Sequence, residues 1–98
     1  MTAYMILTRE QPVRDEAEMA EYARKNRENA PVLGKTMVPL AVYGRIEALE
    51  GGAPDGVVIL KFETLDAARA WYDSPEYQDA LPHRLRGADY RAIIVEGL

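Results

Sequence analysis

The chain has 98 residues, 48% of them hydrophobic and none of them cysteine, so there is room for one core and no disulfide, thiolate nucleophile or cysteine-based metal site. Sixteen acidic residues against twelve basic ones give a formal net charge of -4, and the basic residues are scattered among the acidic ones, which disfavours a nucleic-acid or anionic-membrane partner. The opening Met1-Thr2-Ala3-Tyr4-Met5-Ile6-Leu7 turns polar by Thr8-Arg9-Glu10, too short an apolar run for a signal peptide or a membrane span, and a cytoplasmic location is the expectation.

Residues 3–8 are apolar and β-prone, and Gln11-Pro12 breaks that run before a polar segment from about Arg14 to Asn29 rich in Glu, Ala, Arg and Lys. Strand followed by helix is predicted. Ala17, Ala20, Tyr22 and Ala23 are expected to face a sheet, with Glu16, Glu18, Glu21, Lys25 and Glu28 on the solvated face, paired at helical spacing. Pro31 and Gly34 close the helix. Residues 36–49 form a second extended segment, interrupted by Pro39 and Gly44 in the manner of an edge strand or a bend. Residues 50–56 read as a turn, where positive φ is the ordinary reason for glycine.

Val57-Val58-Ile59-Leu60-Lys61-Phe62 is the clearest strand, and Thr64 or Asp66 can cap the helix after it. In that helix Trp71 sits among Ala67, Ala68 and Ala70, small residues that let a helix lie close to a sheet. Ser74 is predicted to cap the next helix and Pro75 to be its first residue. Pro82 falls deep inside it, so a kink or restart is expected near Leu81. Gly87 ends it, and residues 90–96 form the last strand. The order β-α-β-β-α-β predicts one ferredoxin-like α+β domain over residues 1–98, a four-stranded antiparallel sheet with helices on one face.

Such a sheet should alternate apolar with polar residues, yet Met5-Ile6-Leu7, residues 57–60 and residues 92–95 are apolar at consecutive positions. Both faces therefore need cover. A second copy is the simplest partner for the open face, giving a homodimer whose paired sheets form a dimeric α+β barrel. The run Trp71-Tyr72-Asp73-Ser74-Pro75-Glu76-Tyr77 and the closing Val95-Glu96-Gly97 resemble the Trp-Tyr-x-Ser-Pro-x-Tyr and Val-Glu-Gly of the family known as domain of unknown function 1330. The resemblance covers nearly the whole chain and implies the same dimeric assembly.

His83, the only histidine, lies in the polar stretch Leu81 to Arg91. As a catalytic set, His83 can act as general base, Arg86 or Arg91 (or Arg84) can hold a carboxylate or enolate, and Asp73 or Asp89 can orient the imidazole. A structural role is the alternative, with His83 at a helix end and the arginines favouring its negative C-terminal dipole. Tyr4, Tyr43 and Tyr90 on strands, with Trp71, are the expected lining of a small-molecule pocket between helices and sheet, although packing alone also explains Trp71 and Tyr77.

The chain is also distantly similar to the cofactor-independent monooxygenases of antibiotic biosynthesis and to the haem-degrading monooxygenases, which place a functional Trp on the second helix. Trp71 has a similar location, Tyr77 follows six residues later, and Arg91 lies on the last strand. Leu7 and Ala67 stand where those families have a polar amide, and the only asparagines, Asn26 and Asn29, belong to the first helix. This departure counts against oxygenase chemistry. There is no phosphate-binding loop, nucleophile elbow or metal-spaced histidine pair, so no metal and no cofactor is expected. The sequence thus points to binding of a small acidic or enolisable organic compound, with proton transfer as its chemistry. A non-catalytic dimeric module and a cofactor-independent monooxygenase are the alternatives.

Overall fold

The computed structural model describes residues Met1–Leu98, and the elements run β1 (Ala3–Arg9), α1 (Glu16–Glu28), α2 (Ala30–Leu33), β2 (Val38–Val42), β3 (Gly56–Phe62), α3 (Leu65–Asp73), α4 (Pro75–Gly87) and β4 (Tyr90–Glu96). The four strands form one antiparallel sheet in the order β2-β3-β1-β4. Each half of the chain is a strand, a helical crossover and a second strand, and the two halves interleave as in ferredoxin-like folds.

Alternation fixes which face of the sheet is covered. Ala3, Met5 and Leu7 on β1 and Val58, Leu60 and Phe62 on β3 are buried beneath the helices, while Tyr4, Ile6, Thr8, Val57 and Ile59 between them are half-buried on the other face. That second face carries Ile6 opposite Ile59 and Ile93, with Val95 and Val38 beside them. Ile93, Val95 and Val38 are exposed. The apolar runs are therefore real on both faces, and in the single chain only one is covered.

β2 is shorter than the extended segment expected over 36–49. It is an edge strand with an irregularity between Pro39 and Ala41, where proline removes a ladder donor, and it ends where Tyr43 turns left-handed at φ 53°.

The helix starts follow side-chain chemistry. Asp15 caps α1 by accepting from the Glu18 amide, and Thr64 caps α3 by accepting from the Ala67 amide. Ser74 ends α3 and begins α4. Its Oγ donates to the Trp71 carbonyl at 2.7 Å and accepts from the Tyr77 amide at 3.2 Å, and Pro75 follows as the first helical residue. Contrary to expectation, α4 runs unbroken past Pro82. Pro82 and Gln78, whose carbonyl loses its partner, are both exposed, so water can serve that carbonyl.

Two clusters meet at Trp71. Met5, Leu7, Val58, Leu60, Phe62 and Ala68 form the layer between the sheet and α3, and Leu33, Tyr77 and Leu81 form the layer between α2 and α4. Trp71 packs against both, edge-on to Phe62 at 5.7 Å and tilted against Tyr77 at 4.6 Å, and its indole N–H donates to the Leu33 carbonyl at 2.7 Å. Of the three alanines expected at the sheet, Ala68 is fully buried, Ala67 half-buried and Ala70 exposed.

Because Ser74 serves two helix ends at once, Ser74→Ala should destabilise the fold by about 1–2 kcal/mol, with the melting temperature falling several degrees. Thermal denaturation followed by circular dichroism checks this, and an unchanged midpoint would show that the hinge is held by Pro75 and packing alone.

Candidate functional site

α1 has no fully buried residue, and Ala17 and Ala20, expected to face the sheet, are exposed. The helix packs along α4 instead. Its start is tied to the end of α4 by the Arg14 and Asp15 amides, which donate to the Gly87 carbonyl at 2.9 and 3.2 Å. A Cβ on Gly87 would come within 2.7 Å of the Met19 side chain, so glycine permits this approach. Farther along, Lys25 pairs with Asp79 at 2.8 Å. Held in this way, α1 stands off from the β2 half of the sheet.

The gap is a cavity of about 500 Å³, within the range of small-molecule sites. Leu7, Val58 and Leu60 form its floor and Met19, Tyr22, Ala23 and Asn26 of α1 its roof. Leu33, Trp71 and Tyr77 close one end, and the exposed Arg27, Pro39, Val42 and Tyr43 form the rim. Thirteen of the nineteen lining residues are hydrophobic, and none is Asp, Glu or His.

Against this apolar wall lies Arg84, only 3% exposed and without a carboxylate partner. Its guanidinium rests on the Tyr90 ring at 4.7 Å, and its Nε is buried with no hydrogen-bond partner. Burial disfavours its charge, but the neighbouring Tyr77 and Tyr22 outweigh this, leaving its pKa above the ordinary arginine value. Asn26 Oδ1 is likewise buried and unpartnered. The Tyr22 and Tyr77 hydroxyls share a hydrogen bond of 2.7 Å, and burial, reinforced by Tyr77, pushes the Tyr22 phenol far above its usual range. Tyr22 therefore stays neutral and is no base near pH 7.

The rim is preorganised. The Tyr43 ring lies on Gly56, where a Cβ would sit 2.8 Å from Tyr43 Cδ1. The Arg9 guanidinium stacks on that ring at 4.8 Å and donates to Asp55 at 2.7 Å, and the Tyr43 and Tyr90 hydroxyls are 2.5 Å apart. These contacts hold a bulky side chain at positive φ, a backbone state costing roughly 1–3 kcal/mol that persists only when its surroundings enforce it.

Of the residues singled out in the sequence, Trp71 and Tyr43 line the cavity, and Tyr90 stands behind Arg84 as its stacking partner. Tyr4 does not reach it, because alternation puts Tyr4 on the opposite face of the sheet. His83 is outside the lining, and its Nδ1 donates to Glu18 Oε2 at 2.8 Å on the α1–α4 seam. Arg86 pairs with the same carboxylate at 3.2 Å, and Arg91 with Glu10 at 3.3 Å. His83, Arg86 and Arg91 are thus not brought together with the cavity. The polar groups that do line it are Arg84, which the sequence offered only beside Arg86 and Arg91 as a carboxylate holder, Tyr77, which packing alone explained, and Tyr22 and Asn26 of the first helix, which were given no site role. No group of three or more His, Asp or Glu side chains is placed to hold a metal ion, and no helix is long and apolar enough to cross a membrane.

The fold and its half-covered cavity define a ferredoxin-like α+β protein. The chain belongs to the family described as domain of unknown function 1330, whose model matches residues 2–98. No curated protein matches it. Among solved structures it is similar to a protein of unknown function from Rhodopseudomonas palustris, at 20% identity and a TM-score of 0.72 over 99% of this chain and 82% of that one. It is similar also to a dimeric ferredoxin-like protein of unknown function from Jannaschia sp. CCS1, at 13% identity and a TM-score of 0.71 over 99% and 100%. A candidate antibiotic biosynthesis monooxygenase from Caulobacter crescentus CB15 shares the fold at 11% identity, with a TM-score of 0.63 over 99% and 90%.

The Glu18 cluster predicts a pH dependence. Hydrogen bonds from His83 first, and then Arg86, hold the Glu18 carboxyl below the usual carboxylate range. A depressed folded-state pKa means that this stabilisation is full above the unfolded value and is lost as pH falls through the folded one. Glu18→Gln should therefore be less stable than the parent near pH 6, and the gap should close in acid below pH ~4. Urea denaturation across that range checks it, and a gap independent of pH would remove the charge from the account.

Proposed function

We propose that this protein binds a small organic acid in the cavity between α1 and the sheet, one site per protomer. The observation that carries this reading is Arg84, a buried cation with an unpartnered Nε, lining an apolar cavity and lacking a carboxylate of its own. An isolated buried charge is costly, and a ligand carboxylate supplies the missing counter-charge in a medium where the pairing is strong. The apolar floor and the aromatic end wall suit a hydrocarbon or aromatic body.

Binding is a better account than proton-transfer catalysis. The lining has no carboxylate or imidazole to act as a base, and Tyr22 keeps its proton. For His83 to serve, a ligand would have to reach the α1–α4 seam and compete with Glu18. An open cavity with a buried arginine also argues against a purely structural module, in which Trp71 would meet a filled core.

We propose further that the chain is a homodimer through the open face of the sheet, where Ile6, Ile59, Ile93 and Val95 gather. Structural relatives from Jannaschia, Bacteroides fragilis and Thermobifida fusca are described as dimeric, which supports this assembly.

Two experiments follow. Arg84→Met keeps the side-chain volume and removes the charge. Affinity for aromatic and branched aliphatic carboxylates, measured by calorimetry, should fall roughly 10- to 100-fold, while the melting temperature of the unliganded protein holds or rises. Unchanged affinity, or binding of the methyl esters as tightly as the acids, would overturn the reading. For the assembly, Ile93→Asp should shift the mass measured by light scattering from twice the chain mass to the chain mass, and a monomeric parent would refute the dimer.

A further inference from the structure

Two residues that line the cavity each carry a buried polar atom without a partner, and the two atoms differ in kind. Arg84 Nε is a donor on α4 and Asn26 Oδ1 is an acceptor on α1. Building on the proposed acid site, we infer that the ligand is a hydroxy acid, whose carboxylate meets Arg84 and whose neutral O–H donates to Asn26 Oδ1.

Each buried polar group left unmatched costs more than an ordinary hydrogen bond returns, so a cavity carrying one donor and one acceptor selects a ligand that satisfies both. A plain carboxylic acid satisfies Arg84 and leaves Asn26 Oδ1 desolvated. Asn26 Oδ1 has no partner within the protein, and the neighbouring Tyr22 hydroxyl is already engaged with Tyr77. The ligand donor is also neutral. Arg27 and Arg84 line the cavity, Arg9 there is already paired with Asp55, and no carboxylate lines it, so an ammonium group beside Asn26 would face the Arg84 cation with no lining anion to pair with. Amino acids are thereby disfavoured against hydroxy acids of the same shape. The aromatic wall made by Trp71 and Tyr77 recommends an aromatic spacer between the two polar ends.

The test uses phenylacetate, its three hydroxy positional isomers, the matching methoxy compounds and the matching aminomethyl compounds, titrated calorimetrically into the parent protein and into Asn26→Leu. At least one hydroxy isomer should bind roughly tenfold tighter than phenylacetate, with no gain from its methoxy or aminomethyl counterpart. In Asn26→Leu the hydroxyl gain should vanish while phenylacetate binds as before or better. The unliganded variant should also melt at or above the parent temperature, because an unsatisfied buried oxygen has gone. Binding of phenylacetate with no hydroxyl gain in the parent, or a gain that persists in Asn26→Leu, overturns this inference and leaves the acid site standing. Failure of the whole panel to bind overturns both.

Discussion

The indole of Trp71 is the contact on which the rest of the molecule depends. It packs against both hydrophobic clusters, as its neighbour Tyr72 does, and its N–H holds the last carbonyl of the short α2 at 2.7 Å. Without that bond α2 has four residues and no side-chain cap, too little to hold a conformation by itself. With it, the chain leaving α1 is anchored at one end of the sheet, and α1 is stretched between that anchor and the end of α4. Deleting a fully buried tryptophan costs about 3–5 kcal/mol, and the half-buried Trp71, packed on both clusters, should cost a substantial part of that. Here the loss would also release the cavity's end wall, so stability and site share a single residue.

The cavity follows from what α1 lacks. Its inward positions Met19, Tyr22, Ala23 and Asn26 recur at helical spacing, but their small or polar members cannot fill the space above Val58 and Leu60. A leucine at 23, where the chain has alanine, would have filled part of the gap with ordinary core. Arg84 keeps it open from the α4 side, because its guanidinium is stacked on Tyr90 and cannot fold away into solvent. Natural cores avoid an unpaired cation with an unsatisfied nitrogen, and the coexistence of the void with the group that makes it costly is the ground on which the acid site is proposed.

The sequence was informative wherever a local rule had one solution. Ser74-Pro75 could only divide two helices, the apolar run 57–62 could only be an inner strand, and the consecutive apolar residues on three strands implied a sheet with two apolar faces. Site residues were harder because their selection rested on residue type rather than on phase. His83 and Arg84 are neighbours in sequence but about 100° apart around a helix. Counting from Tyr77 through Leu81 to Arg84 gives the i, i+4, i+7 stripe that faces inward, and this would have favoured Arg84 over His83. The same count from Met19 through Tyr22 and Ala23 reaches Asn26. Tyr4 fell to the period of two, since Met5 and Leu7 already claim the helix face. The φ of Tyr43 left no trace in the sequence, because its cause is tertiary: the ring's seat on Gly56 beneath Arg9.

The two ends of the cavity belong to elements of unequal rigidity. α4 is built into the core through Tyr77, Ala80 and Leu81, whereas α1 buries nothing completely: its start is fixed by the Gly87 carbonyl and its middle by the Tyr22–Tyr77 hydrogen bond, and beyond these it is held to α4 by surface pairs such as Lys25 with Asp79, each worth little in water. With no fully buried residue, α1 is the less secured of the two walls. A molecule touching only Arg84 would leave that wall as it is. One that also engages Asn26 adds a tie across the cavity, converting the least secured wall into part of the closed structure, and mass action then stabilises the whole domain in proportion to the occupancy of that closed state. Ligand recognition and the stability of α1 are on this reading one equilibrium, set by the two polar atoms that the unliganded fold leaves unsatisfied.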